Sequence, residues 1–548
     1  MSAETFYTSV ECIGDNMLVI GYKDGRPHQE KIHFKPSLYY PSIIETEYKN
    51  LDGEFLKRKV FGSIGEMRDV IKSMSGVYGH KYYGAENLIR QFIPEQYPGE
   101  INWSSKIAQL WFIDIETTVA ESEGSHGFPT PELAKEKIQL ITMLNHNNDK
   151  GYVFSIKPIV ATNPILSAGA DFKHYETEAE MLTDFIRFFQ NNRIDILSGW
   201  NSEFFDVPYI VTRCTNVLGE NTTKLLSPWK IIKKRTVQVN DTPKTCYDIL
   251  GICHLDYLEL YKKFNPGSQE SFKLDYIADL ELGSGKVDNP FDTFKDFYTG
   301  GGDLYDKPEA GAHELQEFRY IRTRLGEKLK ASPEDAGLKK NFNLIDHKIR
   351  SGAWNLFVEY NYRDVTLLRD LEKKMLLVEL AMMIAYMTKV NIADVHSSMR
   401  VWESVIYNHF LDQNIFLQAN APKKQHRSIP GAYVMDVTPG KYEWVISTDF
   451  ASLYPSIMMM NNISPDTKVM KLDVTPEDLL AGNYPNFDRD KYILSANGTL
   501  CSKEKEGYIP YLVRQKFEQR KLFKKQMLQY ETEAQAIRDE LKRRGVEH

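Results

Sequence analysis

Apolar runs and alternating apolar and polar residues divide the chain into segments of different character. Residues 1–108 mix short alternating segments with polar turns, which is typical of an α+β domain with many short strands. The nearly continuous apolar run from Ile107 to Ile113 predicts a strand that is buried on both faces. Residues 136–215 alternate strand-like and helical runs, including a helix after Thr177, a residue suited to cap it. This alternation predicts an α/β domain.

The pattern changes in the second half of the chain. Residues 284–350 are rich in Gly, Asp and Lys, so we expect a loop-and-helix insertion on the surface. Leu and Met at helical spacing predict a helical region over 365–415, and 420–432 resemble a linker. A strand with an acidic end is predicted over 443–449. The segment 511–544 predicts one amphipathic helix, with a capping glycine after it.

Composition limits the class of protein. An apolar fraction of 42% and a charged fraction of 26% are typical of a folded soluble protein, and the length predicts several domains.

The five cysteines form no Cys-x-x-Cys pair, so neither a disulfide framework nor a zinc site is predicted, and we expect a reducing, cytoplasmic setting. No apolar run is long enough to span a bilayer, so no membrane association is expected. The net charge of -7 argues against a protein that coats nucleic acid, although local basic stretches can still bind it.

Acidic residues recur at the edges of the predicted elements. Asp114 and Glu116 are two apart on the buried strand, so both side chains leave the same face. Asp206 opens a helical segment after a strand-like run, and Tyr360 and Asp364 share one face of a later helix. Carboxylates on an apolar strand are costly unless cations compensate them. They suggest a site for a pair of divalent metal ions, although each segment alone is also compatible with ordinary surface acids.

In this order, the three segments resemble the exonuclease motifs of family B DNA polymerases, Asp-x-Glu, Asn-x-x-x-Phe-Asp and Tyr-x-x-x-Asp. The resemblance implies an RNase-H-like 3′→5′ exonuclease domain that uses two Mg²⁺ or Mn²⁺ ions. It implies that Tyr360 positions the attacking water and that the metal ligands are Asp114, Glu116, Asp206 and Asp364. A basic β-hairpin is also predicted over 229–247, with its turn at 240–243. It resembles a hairpin that helps to separate primer from template in related phage enzymes, or else it is a solvated hairpin.

The run from Asp449 to Ile457 resembles the first polymerase motif of the same family. By this resemblance, Asp449 is a ligand of Mg²⁺ in the nucleotidyl-transfer site. The backbone N–H groups of Ser452, Leu453 and Tyr454 are expected to cradle the incoming triphosphate. Tyr454 is also expected to exclude a ribose 2′-hydroxyl by its volume.

Two cations on the last predicted helix complete this set. Arg520 and Lys524 are four residues apart and therefore face the same way. They match an Arg and a Lys that contact the triphosphate in the fingers of family B enzymes. The alternative is a solvated basic face.

The resemblance, which is strongest to the replicative polymerases of T-even-like bacteriophages, implies a multidomain α+β and α/β protein in four parts. The family's second acidic polymerase motif, Asp-Thr-Asp, does not occur in the 548 residues, so only part of the palm is expected. The parts are an N-terminal domain (1–108, with 377–420 packing back onto it), the exonuclease domain (109–376, with the insertion near 284–350), the N-terminal part of the palm (421–506) and the first finger helix (507–548).

Three functional hypotheses remain open at this point. The first is the N-terminal part of a split polymerase, in which a second polypeptide supplies the remaining palm, fingers and thumb. The second is a truncated fragment that acts as an exonuclease alone, and the third is a DNA-binding assembly subunit without catalysis. The complete set of exonuclease residues argues against the third, and the first is the function that we expect. The expected ligands and partners are primer-template and single-stranded DNA, dNTPs, the second polypeptide and other replisome proteins, in the cytoplasm of a host cell if the source is viral.

Overall fold

The chain forms two compact units. One consists of Met1–Tyr48 and Phe55–Ala421, and the other of Lys49–Glu54 and Pro422–His548. The segments predicted as an N-terminal domain and an exonuclease domain therefore share one unit. The computed structural model describes residues 4–74, 77, 80–122, 125–127, 129–159, 165, 168–239, 242–265, 267–286, 313–332, 335–419, 435–450 and 452–545.

Strands and helices alternate through most of the chain. The strands are β1 (Phe6–Ile13), β2 (Asn16–Lys23), β3 (Arg26–His33), β4 (Ser37–Pro41), β5 (Tyr48–Lys49), β6 (Phe55–Val60), β7 (Leu110–Thr117), β8 (Ala120–Ser122), β9 (Ser125–Gly127), β10 (Ile138–Asn145), β11 (Gly151–Ser155), β12 (Asp171–His174), β13 (Ile196–Gly199), β14 (Ile232–Val239), β15 (Thr242–Ile249), β16 (Cys253–Asp256), β17 (Lys468–Lys471), β18 (Tyr492–Leu494) and β19 (Thr499–Ser502). The α-helices are α1 (Ile64–Met74), α2 (Leu88–Gln96), α3 (Glu178–Asn191), α4 (Asp206–Leu218), α5 (Glu220–Thr223), α6 (Tyr257–Phe264), α7 (Leu274–Leu282), α8 (His313–Ala331), α9 (Ala336–Met375), α10 (Leu377–Thr388), α11 (Ser398–Leu411), α12 (Leu453–Met460), α13 (Pro476–Leu480) and α14 (Tyr508–Arg543). Short 3₁₀ turns cover Lys224–Leu226 and Ile392–His396.

A six-stranded sheet in the order β12-β11-β10-β7-β13-β16 lies at the centre of the first unit. Strand β7 is antiparallel to β10 and parallel to β13. Alternate residues of β7 enter two different cores: Ile113 packs in the cluster that contains Phe185 of α3, whereas Phe112 packs in the cluster that contains Tyr257 of α6. The strand is therefore buried on both faces, as its apolar sequence predicts, although it begins at Leu110 rather than at residue 107.

Helix α3 begins where its sequence predicts. The Thr177 side chain accepts a hydrogen bond from the Glu180 backbone, and the Glu180 side chain accepts one from the Thr177 backbone. This reciprocal capping satisfies two N–H groups that have no partner within the helix. Together with β10, β13 and α4, the helix confirms the α/β alternation predicted for 136–215.

Buried polar contacts join the N-terminal strands to the rest of the first unit. The Asp195 carboxylate, which is fully buried, accepts hydrogen bonds from Tyr22 (2.7 Å) and from the backbone of Gln109 (2.8 Å). The Tyr7 hydroxyl donates to the Val390 carbonyl at 2.6 Å, and the Tyr386 hydroxyl donates to the Tyr7 carbonyl at 2.7 Å. Tyr386 of α10 and Val390 just after it therefore lie directly against β1.

The predicted insertion contains a pair of helices, α8 and α9. A Cβ added to Gly326 of α8 would lie 3.4 Å from the Phe342 ring of α9, so the two helices approach closely there. Helix α9 continues unbroken for 40 residues and returns to the central sheet. Its second half packs on β11, where a Cβ at Gly151 would come within 2.5 Å of the Tyr362 ring, so a larger residue there would force the ring to move. The glycine run at 300–302 and the linker over 420–432 lie outside the described residues.

The second unit corrects two sequence predictions. Residues 443–449 form no strand, and Trp444 and Ile446 are 96% and 87% exposed, because no strand in the described part of the chain pairs with this segment. The long helix α14 begins at Tyr508, three residues before the predicted start; Pro510 fits its first turn, where no N–H partner is needed. The capping glycine, Gly545, has the predicted left-handed backbone (φ 68°). No helix among the described residues has both the length and the apolar character to span a bilayer.

Asn462 anchors the start of α14. Its side chain donates to the carbonyls of Ser502 (2.7 Å) and Lys505 (2.8 Å) and accepts from the backbone of Gly507 (2.9 Å). A Cβ on Gly507 would lie 2.4 Å from the Ser464 Cβ, so the chain enters the helix through a position open only to glycine. These contacts fix the base of the helix in the second unit.

Candidate functional site

Strand β7 presents its two acidic residues toward one face of the central sheet. Asp114 and Glu116 pair with Thr142 and Leu140 of β10 and lie beyond the residues of β7 that pair with β13. Glu116 is buried and Asp114 is half-buried. The apolar residues that make β7 a buried strand thus also place two carboxylates in a poorly solvated position.

A tight turn after β13 brings the third carboxylate to the same place. The Asp256 carboxylate accepts hydrogen bonds from the backbones of Asn201 and Glu203, both at 3.0 Å, and holds this turn. Asp206 then opens α4, and its Oδ1 accepts from the Ile115 backbone at 3.1 Å. Asp206 is therefore hydrogen-bonded to the residue between Asp114 and Glu116.

Helix α9 supplies the fourth carboxylate and two polar neighbours. Asp364 is buried, and Tyr360 lies one helical turn before it. Asn361 donates from Nδ2 to Asp114 Oδ2 at 2.6 Å, while the Thr142 hydroxyl donates to the Asn361 amide oxygen. Asn361 thus ties α9 to the acidic strand.

Burial, reinforced by nearby negative charges, raises the pKa of all four carboxylates. Burial raises the pKa of Asp114 well above its usual range, and the charges of Asp364, Asp206 and Glu116 raise it further. Burial and the charge of Asp364 likewise raise the pKa of Glu116. Burial raises the pKa of Asp206 to about 7, against the hydrogen bond from Ile115. The cluster therefore favours a bound cation.

Lys286 provides one such cation. Its ammonium group donates to Asp364 Oδ2 and, at 3.1 Å, to the Tyr360 hydroxyl. Although burial lowers the pKa of Lys286, the charges of Asp364, Tyr360 and Asp114 raise it overall, so the lysine stays protonated. Its backbone N–H donates to the Asp275 carboxylate at 2.8 Å, which fixes the lysine at the edge of the cluster.

The acidic cluster fits a divalent cation in its chemistry. Asp364 Oδ1 is buried, and no described group donates a hydrogen bond to it. Hard oxygen ligands of this kind are those that Mg²⁺ and Mn²⁺ prefer. Among the described residues, however, no three acidic, His or Cys side chains converge closely enough to form a ready-made metal site. Asp364 is instead paired with Lys286, and Asp114 with Asn361.

Replacing Lys286 with methionine should destabilise the protein in EDTA near neutral pH by about 2 kcal/mol, because a buried carboxylate loses its counter-charge. Excess Mg²⁺ should reduce this difference, since the metal replaces the missing cation. Chemical denaturation with and without Mg²⁺ measures both effects. Lys262→Met is the matched control: its exposed pair with Glu259 predicts a change within about 0.5 kcal/mol. Equal losses in the two variants would contradict the assigned role of Lys286.

Sequence reasoning missed Lys286, Asn361 and Asp256. Lys286 stands 78 residues from Asp364, and no spacing rule connects the two. Asn361 offered a weak signal, because it lies next to Tyr360 in the third motif. Asp256 had a clearer one: an acidic residue that ends a strand-like run and precedes a helix is a typical helix cap, and it caps α6.

The basic hairpin formed by β14 and β15 connects to the turn that carries Asp206. Arg235 pairs with Asp248 at 2.7 Å across the hairpin and with Glu203 at 2.5 Å on that turn. The strands pair as far as Val239 and Thr242, so Thr242 and Pro243 belong to β15 and not to the predicted turn. Residues 240 and 241 lie outside the described residues.

The polymerase-like residues form a separate, open group in the second unit. Ser452 has a left-handed backbone (φ 54°) and precedes α12, so the first N–H groups of that helix, from Leu453 and Tyr454, have no carbonyl partner within it. The Arg520 guanidinium lies 3.3 Å from the Ser452 hydroxyl. Asp449, Tyr454 and Lys524 are exposed. The structure thus brings Arg520 to Ser452, while no contact among the described residues joins Asp449 or Lys524 to them.

Comparison with known proteins gives matches over most of the chain. The family model for the exonuclease domain of DNA polymerase family B matches residues 94–277, and the model for DNA polymerase family B matches residues 392–542. The DNA-directed DNA polymerase of Escherichia phage RB69 is 28% identical over 562 residues, which cover 98% of this chain and 55% of that protein. The DNA-directed DNA polymerase of Enterobacteria phage T4 is 28% identical over 558 residues, with coverages of 97% and 55%.

More distant relatives match smaller shares of their own length. The DNA polymerase delta catalytic subunit of Glycine max is 22% identical over 397 residues, which cover 68% of this chain and 31% of that protein. The chain thus spans about half the length of the two phage relatives. The two family models together include Asp114, Asp206 and Asp449, whereas α9 with Tyr360 and Asp364 lies between them.

Proposed function

Because this chain belongs to DNA polymerase family B, we propose that its first unit is a 3′→5′ exonuclease for single-stranded DNA and its second unit holds part of a polymerase site. The observation that carries the exonuclease proposal is that carboxylates from three separate segments lie around one end of β7, where Asp206 accepts a hydrogen bond from the Ile115 backbone and Asn361 of α9 donates one to Asp114. The charge of Asp364 raises the pKa of Asp114, Glu116 and Asp206. An ordinary structural role does not require such a cluster, since burying like charges together is costly.

The four carboxylates are proposed to hold two Mg²⁺ or Mn²⁺ ions in an RNase-H-like domain. When bound, such ions neutralise charge on a phosphate and favour ionisation of water. Asn361 keeps the Asp114 carboxylate in one orientation through its 2.6 Å hydrogen bond. The Tyr360 hydroxyl, held by Lys286 at 3.1 Å, is placed to orient the attacking water.

The proposed reaction is hydrolysis of the terminal phosphodiester. The water oxygen bonds to phosphorus and the bond from phosphorus to the 3′ oxygen breaks, which releases a 5′-nucleotide and leaves a 3′-hydroxyl on the shortened strand. The proton that the water loses is balanced by the proton that the departing 3′ oxygen takes up to become the hydroxyl. Lys286 is placed to stabilise negative charge beside Tyr360.

The second unit is proposed to bind an incoming dNTP on a primer-template. Asp449 would be a metal ligand, the N–H groups of Ser452, Leu453 and Tyr454 would bind phosphate, and Arg520 and Lys524 would add positive charge. The approach of Arg520 to Ser452 supports this grouping. One acidic motif is not enough for a two-metal transfer site. Primer extension therefore needs further acidic residues, and a second polypeptide that supplies them remains a prediction, as do contacts with other replisome proteins.

The test uses the 548-residue chain with Mg²⁺ and a 5′-labelled single strand, and in parallel a primed template with dNTPs. We expect stepwise shortening from the 3′ end and no lengthening of the primer. Addition of a polypeptide that carries the remaining palm should produce lengthening. Cleavage within the strand or from its 5′ end would refute the exonuclease proposal. Primer extension by the chain alone would refute the proposed partial polymerase site.

A further inference from the structure

We infer that the end of the α8–α9 helix pair binds the sugar-phosphate backbone of the DNA strand whose 3′ end enters the acidic cluster. This inference rests on the proposed exonuclease function. The surface in question, named here the basic tip, consists of four exposed lysines: Lys328, Lys330, Lys339 and Lys340. Nothing in the catalytic arrangement requires these side chains.

The charge of the basic tip is opposite in sign to that of the whole chain. Residues 320–340 contain six Lys and Arg and three acidic residues, a net charge of +3, whereas the chain carries -7. In the described part of the chain, no acidic side chain forms an ion pair with any of the four lysines. Phosphate groups attract a cluster of this kind through release of their counterions, and that attraction requires no base-specific contact.

Helix α9 connects the basic tip to the acidic cluster. Lys339 and Asp364 are 25 residues apart on the same unbroken helix, a separation of about 37 Å at 1.5 Å per residue. This spacing is about seven helical turns, so both residues lie on the same side of α9. Asn361 and Phe357 lie on this side of α9 within about two turns before Asp364 and are fully buried, so a strand that leaves the cluster would run beside α9 and not over this side of it to reach the lysines.

The separation sets the length of DNA that can bind both places. A strand stacked as in duplex DNA advances about 3.4 Å per nucleotide, so about 11 nucleotides span the distance, and a more extended strand needs fewer. A strand of four nucleotides can occupy the acidic cluster but cannot reach the basic tip. The inference therefore predicts that affinity continues to increase with strand length after the strand is long enough to fill the acidic cluster.

The experiment compares strands of four and about twenty nucleotides in binding assays without divalent metal, over a series of salt concentrations. The test variant replaces all four lysines of the basic tip with alanine, and the matched control replaces them with arginine. The alanine variant should bind the long strand about tenfold or more weakly at low salt. The slope of log K against log salt should fall in magnitude by up to about 3, since each lost phosphate contact removes about 0.7. The arginine variant should retain both the affinity for the long strand and the slope of log K against log salt.

The outcomes separate this inference from the proposed function. If neither strand is shortened when Mg²⁺ is added, the exonuclease proposal fails. If both strands are shortened but the alanine variant keeps the affinity and salt slope for the long strand, the basic tip is a solvated surface and the inference fails. If the alanine variant lost affinity for a blunt duplex to the same extent, the basic tip would bind duplex DNA. That result would also overturn the inference. Because the four side chains are exposed, melting temperatures of the two variants should agree.

Discussion

Replacement of Asp114 with asparagine should slow the removal of 3′-terminal nucleotides by at least about 10³-fold. This factor corresponds to about 4 kcal/mol, within the several kcal/mol that charge stabilisation by a bound metal supplies. Asparagine preserves the size of the side chain and can still meet Asn361, but it removes a negative charge from the cluster. The loss should therefore come from weakened metal binding and not from a collapsed site.

Two measurements distinguish these causes. Single-turnover rates on a 5′-labelled strand give the loss of activity, and Mg²⁺ titration followed by thermal melting gives the loss of metal binding. The metal-free variant should be at least as stable as the parent protein, since one of four repelling carboxylates is gone. Asp412→Asn, at an exposed position, is the matched control and should change neither quantity. A slow variant that still gains the full stabilisation from Mg²⁺ would exclude Asp114 as a metal ligand.

The metal-free protein should lose stability as the pH rises from about 4 to about 7. Asp206 has an ordinary pKa of 3.8 and a folded-state pKa of about 7, so in this interval the folded chain holds a proton that the unfolded chain releases. The stabilisation from this proton is fully present below the pKa of Asp206 in the unfolded chain. It is lost as the pH rises to the pKa in the folded chain. A difference of about three pKa units corresponds to about 4 kcal/mol. The raised pKa values of Asp114 and Glu116 act in the same direction.

Denaturation in EDTA at several pH values tests this expectation. The Asp206→Asn variant should show a smaller decline over the same interval, because it lacks the titrating group. Excess Mg²⁺ should restore the parent protein near neutral pH, by about 2.7 kcal/mol when its concentration is 100 times the Kd. An identical pH profile for the parent and the variant would show that Asp206 is not the group whose burial opposes ionisation.

Features that depend on a few neighbouring residues could be predicted from the sequence. The apolar run of β7 produces a strand with two buried faces, and the Thr177 cap begins α3 where expected. The acidic residues Asp114, Glu116, Asp206 and Asp364 could be selected because their three segments, in this order, resemble the exonuclease motifs of family B polymerases. Periodicity adds that Asp114 and Glu116 share a strand face and that Asp364 shares a helix face with Tyr360. Their roles as metal ligands remain predictions.

Features that depend on distant partners could not be predicted. The contact of Asn361 with Asp114 crosses 247 residues, and the ion pair of Lys286 crosses 78, so no local rule indicates either. The strand predicted over 443–449 was wrong for a related reason. A short apolar run such as residues 444–446 forms a strand only when another strand supplies hydrogen bonds, and no described strand does so there.

The unbroken course of α9 also constrains how this protein can diverge in evolution. Each residue gained or lost between Lys339 and Asp364 would turn one end of the helix by about 100° relative to the other. Length changes of about 7, 11 or 18 residues come close to whole turns and preserve the relation between the two ends. Changes of two or five residues turn one end of the helix to roughly the opposite side from the other. Homologous chains whose basic tip binds the same DNA strand should therefore differ in the length of this helix in such steps.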